Sequence, residues 1–344
     1  MIQRGVESPL ERGWAAREEH DAVLEGGLYC THSSCRLEYP VVDGLPILFP
    51  DAQAFVAENV FHLLLREDLG PRTESLIGEC CGPGSALDTT RLHLSSYTWD
   101  HYAEFDSGER IDDATRPGSI ARAWARIEAL APAPPAGATL EVGCSVGRIA
   151  FDIGESSKDV VLGMDINVSM LRTAQHVLRT GSVVYPRRSG GLVYERREFG
   201  VPFHRRDRVD FWAGDGAALP FATGTFARVV GMNVLDSVAS PLDFLRSMRR
   251  VTRPGGQLLL AAPYDWSGAV TQPPAWIGGH SVRAAGEGSS AAILRALLTP
   301  GAHPASLEGI RIVGELDDLP WFVRMHDRSV TLYRLHAVAA IVES

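Results

Sequence analysis

Three short stretches carry residue types that could hold a small molecule. Residues 140–148 read Leu-Glu-Val-Gly-Cys-Ser-Val-Gly-Arg. An apolar run ends there in a turn with Gly143 and Gly147, and a helical pattern starts at Arg148. Glycine lets the main chain approach a ligand closely and adopt positive φ. Asp165 closes the next apolar run, about twenty residues on, where a carboxylate can accept from both hydroxyls of a ribose. Asp215, in Gly214-Asp215-Gly216, closes a third run, where an acid can accept from an adenine amino group. All three stand at carboxyl ends of strands, where open α/β sheets bind ligands. The coincidence points to a nucleoside-bearing cofactor. The G-x-G-x-x-G pattern of dinucleotide sites is absent.

Further candidates follow later strands. Asn233 and Asp236 lie in MNVLDSV, and Tyr264, Asp265 and Trp266 lie in PYDW. Asp265 could bind an ammonium or imidazole N–H, and Tyr264 could hydrogen-bond. Trp266 could shield a cation through its ring face. Arg324 has the planar fork that pairs with a carboxylate. Tyr97, Trp99, Asp100, His101 and Tyr102 crowd into SYTWDHY, a candidate lid over the site. Each also has a plain structural reading: packing aromatics, a turn cap at Asp265, a surface charge at Arg324.

The elements that position these residues are legible as periodicity. Strands are expected at Thr139 to Gly143, Val160 to Met164, Val209 to Ala213, Phe226 to Met232 and Gln257 to Ala262. Helices are expected at Arg148 to Ser157, Ser169 to Thr180 and Pro241 to Val251, the last with Leu242, Leu245, Met248 and Val251 on one face. Alternation of this kind builds a doubly wound, Rossmann-like, mostly parallel sheet. Gly309 to Glu315 and Ser329 to Val342 read as an antiparallel pair at its edge, joined by a turn-like Asp317-Asp318-Leu319-Pro320-Trp321. Ala131 to Gly137, rich in proline, reads as a linker. The expected organisation is a small β segment over 1–50, with β structure from Gly27 to Pro50. A helical lid follows over 51–130, with helices at Phe55 to Leu65 and Ile120 to Leu130. The α/β core spans 131–344 and carries an insertion at 181–208.

Composition narrows the function classes. The 344 residues are 45% hydrophobic and 22% charged, as in an ordinary globular protein. Acids outnumber bases 42 to 33, for a net charge of −9, which argues against a nucleic-acid partner. No apolar run approaches the ~18 residues of a membrane span. The N-terminal stretch MIQRGVESPLERGW has no apolar core of a secretory signal. Five cysteines at irregular spacing do not form a disulfide framework, so a reducing cytoplasm is expected.

As a set, LEVGCSVGR, VLGMDIN, WAGDGAALPF, FARVVGMNVLD and RPGGQLLLAAP resemble the class I S-adenosylmethionine-dependent methyltransferases over about 139–263. The resemblance implies that Glu141 faces the amino-acid end of the cofactor and that Gly143 and Gly147 cradle it, with Cys144 and Ser145 in the same loop. It assigns the ribose to Asp165, the adenine to Asp215, and further cofactor contacts to Ile166, Gly216 and Asn233. Ser145 stands where many members have a third glycine.

Pro263-Tyr264-Asp265-Trp266, Trp276-Ile277-Gly278-Gly279 and Leu319 to Arg324 resemble a narrower group, the methyltransferase domain that ends ovothiol-forming sulfoxide synthases. The insertion and SYTWDHY are similar to features of that group. This resemblance implies N-methylation of a thiol-bearing histidine; the positions after the fourth and fifth strands make Tyr264, Asp265, Asn233 and Asp236 the catalytic candidates, and Tyr97, Tyr102, Trp266 and Arg324 are the substrate-binding candidates. The synthase portion is absent from this sequence.

Leu28-Tyr29-Cys30 with Cys35 to Pro46 is similar to the second half of zinc-ribbon-like partners of some methyltransferases. The first Cys-x-x-Cys is missing, and two thiolates do not close a tetrahedral zinc site. His20 and His32 could complete one, but the expectation is a metal-free segment. Cys80 and Cys81 read as small apolar residues, the seven arginines of 187–208 as a solvated hairpin, and His176, His280, His303, His326 and His336 as isolated.

Methyl transfer from a sulfonium asks the protein to hold a nucleophile near 3 Å in line and to exclude water. The leading expectation is methyl transfer to a nitrogen of a small amino-acid-like substrate. Two alternatives stay open: intramolecular cyclisation of the cofactor with release of methylthioadenosine, and a non-catalytic cofactor-binding partner protein.

Overall fold

The computed structural model of the chain describes residues 2–3, 6–19, 22–32, 37–63 and 71–343. The N-terminal part is antiparallel: β1 (Ile2–Gln3) pairs with β2 (Val6–Glu7), and β3 (Leu10–Glu19), β4 (Ala22–Cys30), β5 (Glu38–Val42) and β6 (Leu45–Leu48) follow as a meander. Helices α1 (Ala52–Leu63), α2 (Pro71–Cys81), α3 (Ala86–Tyr102) and α4 (Ser119–Glu128) come next.

The α/β part then runs β7 (Thr139–Val142), α5 (Arg148–Ser156), β8 (Val161–Asp165) and α6 (Val168–Thr180). A hairpin of β9 (Ser182–Gly190) and β10 (Val193–Gly200) interrupts it. It resumes with β11 (Val209–Gly214), β12 (Phe226–Met232), α7 (Pro241–Val251) and β13 (Thr252–Ala262), and closes with α8 (Ser290–Leu297), β14 (Ile310–His326) and β15 (Ser329–Val342).

The main sheet has the order β14-β15-β13-β12-β7-β8-β11-β6-β5-β4-β3. Its centre, from β13 to β11, is parallel, and β15 and β14 add an antiparallel edge. The strand order reverses between β7 and β12, the switch point where such sheets open a crevice. Thus the expected doubly wound sheet is present. Ile127, Ile149, Phe151 and Leu171 bury one of its faces; Phe244, Met248, Leu260 and Leu294 bury the other.

Four local expectations are corrected. The N-terminal meander begins at Leu10, not Gly27, and it extends the core sheet: β6 pairs in parallel with β11, Ile47 opposite Ala213 and Leu48 opposite Gly214. Residues 317–321 are not a turn. They lie inside the 17-residue strand β14, with register shifts between Leu316 and Leu319, and the reversal comes at 327–328. Several of the arginines of 187–208 are not free in solvent. Arg187 makes a two-bond ion pair with Glu109, Arg197 pairs with Asp106, and Arg206 donates to the last carbonyls of α6 at Val177 and Leu178. The hairpin is thereby clamped onto the segment after α3. Cys80 and Cys81 are exposed at the end of α2 rather than packed. Leu65, Cys35 and His20 lie outside the described residues, while Cys30 is buried at the end of β4. No described helix is long and apolar enough to cross a membrane.

Candidate active site

The site is built at the carboxyl ends of β7, β8, β12 and β13. After β7 the chain turns through Gly143 (φ 76°), Ser145 (φ 53°) and Gly147 (φ 88°) into α5. A Cβ on Gly143 would sit 2.7 Å from Val234, and one on Gly147 would sit 2.6 Å from the Phe211 ring. Glycine at 147 therefore serves close packing of the turn on its own sheet. The turn is held by Gly143 N–H and Cys144 N–H donating to Met164 O at 2.7 and 3.0 Å. Cys144 itself is fully buried, and burial pushes its thiol pKa well up. Its side chain belongs to the core, which corrects its assignment to the cofactor. Gly216 is similar: a Cβ there would meet Val142 and Phe244.

Asp165 ends β8 and faces the turn. Its Oδ2 accepts from Ser145 N–H at 2.7 Å and its Oδ1 from Asn167 N–H at 2.8 Å. A carboxylate has about four acceptor positions, so each oxygen keeps one for a ribose hydroxyl. Burial raises its pKa against the pull of these N–H donors. Beside it Ile166 is 58% exposed, an uncovered apolar side chain where a planar base would stack. Asp215 accepts from Ala217 N–H at 2.8 Å through Oδ1, capping a short 3-10 turn.

Two orphaned groups complete the cradle. Glu141 is 2% exposed, burial raises its pKa, and its Oε2 has no partner. Asn233, at positive φ, donates its N–H to Ala261 O, yet both polar atoms of its side-chain amide are out of solvent without a partner. Buried polar atoms cost free energy unless something completes them. An acceptor at Glu141, open acceptor positions at Asp165 and an amide at Asn233 fit the ammonium, ribose and carboxylate of S-adenosylmethionine.

Next to the cradle, aspartates and tyrosines converge. Asp236 is buried, burial raises its pKa, and its Oδ2 accepts from Asp265 N–H at 2.6 Å. The Asp265 Oδ2 accepts from Tyr333 Oη at 2.9 Å. Tyr97 of α3 lies within electrostatic reach of Asp165, Asp236 and Asp265, and burial pushes its pKa up to about 12. So α3 does reach the site as expected of the lid, and Tyr97 is the residue that does so.

Other expected substrate residues point elsewhere. Tyr102 is fully buried and donates to Val146 O at 2.6 Å, so it braces the glycine turn from behind. Tyr264 sits at φ 57°, and its hydroxyl is 2.6 Å from His336 Nδ1. His336 Nε2 is 2.7 Å from Glu315 Oε1, and Glu315 is paired with Arg295. Glu315 accepts only, which assigns the imidazole proton to Nε2 and makes Tyr264 the donor to Nδ1. Its hydroxyl is spent tying PYDW to the sheet edge, and His336 is not isolated. Trp266 donates to Ser290 Oγ at 3.0 Å and stacks between Tyr264 and Trp276, on the face packed against α8. Arg324 is 3% exposed, bound to Asp327 and close to Arg187, and burial lowers its pKa. Only its Nη1 lacks a partner.

Sequence reasoning missed Tyr333, because nothing in its own strand marks it; its partner lies 68 residues earlier. It also missed that Asp100 caps a neighbouring helix. Asp100 accepts from Ser119 N–H, Ser119 Oγ and Ile120 N–H at 2.8, 2.7 and 3.1 Å.

Residues 140–260 match the family described as a methyltransferase domain. The chain is 47% identical over 53 residues to a demethylmenaquinone methyltransferase of Renibacterium salmoninarum, covering 15% of this chain and 22% of that one. It is 26% identical over 122 residues to methyltransferase GfsG of Streptomyces halstedii, covering 36% of each. The chain thus spans well under half the length of these curated relatives. Among solved structures it is similar to phosphoethanolamine N-methyltransferase 2 of Haemonchus contortus in complex with S-adenosyl-L-methionine. That match has a TM-score of 0.32 and 16% identity, over 41% of this chain and 28% of the other. The part of the chain from β7 into β13 is thus similar to a methyltransferase domain.

Proposed function

We propose that the chain transfers a methyl group from S-adenosylmethionine to a nitrogen of a small amino-acid-like substrate of the histidine or thiohistidine type. The observation that carries this reading is that Tyr97 lies within electrostatic reach of Asp165 and of both Asp236 and Asp265, which are themselves joined by a hydrogen bond.

Glu141, Asp165, Asn233 and Asp215 hold the cofactor, which supplies an electrophilic methyl group when bound. The remaining work falls to orientation and exclusion of water. Asp236 fixes the Asp265 main chain, and Tyr333 fixes its carboxylate. Asp265 then orients the substrate by accepting from an N–H, leaving the lone pair of the acceptor nitrogen free. A neutral imidazole at pH 7 needs this orientation more than a strong base. Helix α3 covers the site from the other side through Tyr97.

The test is to incubate the chain with S-adenosylmethionine and a panel of histidine and thiohistidine derivatives. The expected result is S-adenosylhomocysteine with a product heavier by one methyl group, formed only when a panel member is present. Asp265→Asn should lower turnover and leave cofactor affinity intact. Methylthioadenosine formed from cofactor alone would overturn this reading in favour of cyclisation.

A further inference from the structure

Three rings stand in a row beside the aspartates. Trp321 of β14 is 6.1 Å from Tyr97 of α3 and 5.1 Å from Tyr333 of β15, centroid to centroid, both pairs tilted. Trp321 is 5% exposed and forms the back of this corner, while the two tyrosines are half-buried. Tyr333 anchors the Asp265 carboxylate at its open side. The Nε1 of Trp321 is buried and has no partner, so the protein itself does not complete this wall.

The strongest charges acting on Tyr97 are carboxylates. The side chains that act electrostatically on Tyr97 are Asp165, Asp236 and Asp265, and Asp236 feels Asp265. The His93 ring lies 6.5 Å from Tyr97, edge to face, and burial lowers its pKa, which disfavours its cationic form. Three other acids are paired with arginines instead: Glu109 with Arg187, Asp106 with Arg197, Asp152 with Arg148. Uncompensated carboxylates beside aromatic faces make a place for an organic cation, because ring quadrupole and carboxylate both attract it.

We infer that the corner of Tyr97, Trp321 and Tyr333, with Asp265 as counter-ion, binds an organic ammonium group on the substrate. This rests on the reading of the site as a methyl-transfer site and names the charge that its substrate carries. It moves cation recognition from Trp266, whose ring is packed under α8, to Trp321. The nitrogen that accepts the methyl is then a different atom from the charged one, since a protonated amine has no lone pair to give.

The test uses the full chain with S-adenosylhomocysteine present and compares two probes by calorimetry. One is choline; the other is its uncharged carbon isostere, with a tert-butyl group in place of the trimethylammonium. Choline should bind at least tenfold more tightly. Asp265→Asn, an exposed position, should remove that preference, and Tyr333→Phe should reduce it. Trp321→Leu should abolish choline binding, with circular dichroism checking the fold; Tyr97→Leu is the alternative if that buried variant does not fold. Equal affinity for the two probes, no choline binding, or a preference that survives Asp265→Asn would overturn the inference. Titration of S-adenosylhomocysteine in the same samples separates the two claims. A chain that binds it but does not discriminate the probes loses only the corner, whereas one that does not bind it loses the methyl-transfer reading.

Discussion

The hydroxyl of Tyr102 donates to the main-chain carbonyl of Val146 at 2.6 Å, so the last turn of α3 is bonded to the glycine turn that shapes the cofactor cradle. Arg148, the first residue of α5, reaches back to the carbonyl of His101 and strengthens the same tie. The helix that carries Tyr97 is thus fixed at its C-terminal end to the glycine turn after β7.

Tyr102→Phe keeps the ring and leaves the Val146 carbonyl without its buried donor. The expected cost is about 1–2 kcal/mol of stability, the range for a buried group left unpaired. Cofactor affinity should fall as well, because the turn loses its brace. Chemical denaturation and calorimetry with S-adenosylhomocysteine would check both. Unchanged values in both would show that the bond does not hold the turn.

Asp100 and His101 give stability a pH signature of opposite signs. Burial pushes Asp100 up to about 6 and His101 down to about 3. Between about 4 and 6 the folded chain holds a proton at Asp100 that the unfolded chain releases, so this group favours folding more as pH falls. His101 does the reverse: below about 6.5 the unfolded chain takes up a proton that the folded chain refuses. Relative to the unmodified chain, His101→Gln should therefore gain thermal midpoint from pH 7 to pH 4, and Asp100→Asn should lose it. Parallel curves for all three proteins would contradict the assignment.

Arg187 and Glu109 form a nearly buried ion pair that docks the β9–β10 hairpin. Arg187→Ala strands the Glu109 carboxylate and should cost about 3–5 kcal/mol. Arg196→Ala, at an exposed position of the same hairpin, should stay within about 0.5 kcal/mol. Urea midpoints distinguish the two, and equal effects would mean that the hairpin does not dock through this pair.

The central strands and helices were legible because their periodicities are local: β12 and α7 fall where the sequence puts them. The sheet edges were harder to read. LERGWAAREE looks like a charged loop, yet it is β3, an edge strand with most residues exposed on both faces, so alternation gives no signal. Residues 317–321 carry two aspartates and a proline. At the outer edge Pro320 need not complete a ladder, and the register shift accommodates Asp318 at φ 59°. Asp165 and Asp236 were legible as site residues because they follow strands. The destinations of side chains were not. Whether a tyrosine hydroxyl meets Val146, His336 or Asp265 depends on packing between distant segments, and Tyr102, Tyr264 and Tyr333 divide that way.

The account stands on a cofactor site centred on Asp165, and calorimetric titration with S-adenosylhomocysteine tests it most directly. One molecule should bind per chain. Asp165→Ala should cost about 1.5–3 kcal/mol, the range for hydrogen bonds to a charged group, which is roughly a ten- to hundredfold loss of affinity. Asp265→Asn should bind as the unmodified chain does. No binding to the unmodified chain, or full binding to a folded Asp165→Ala variant, would contradict the site.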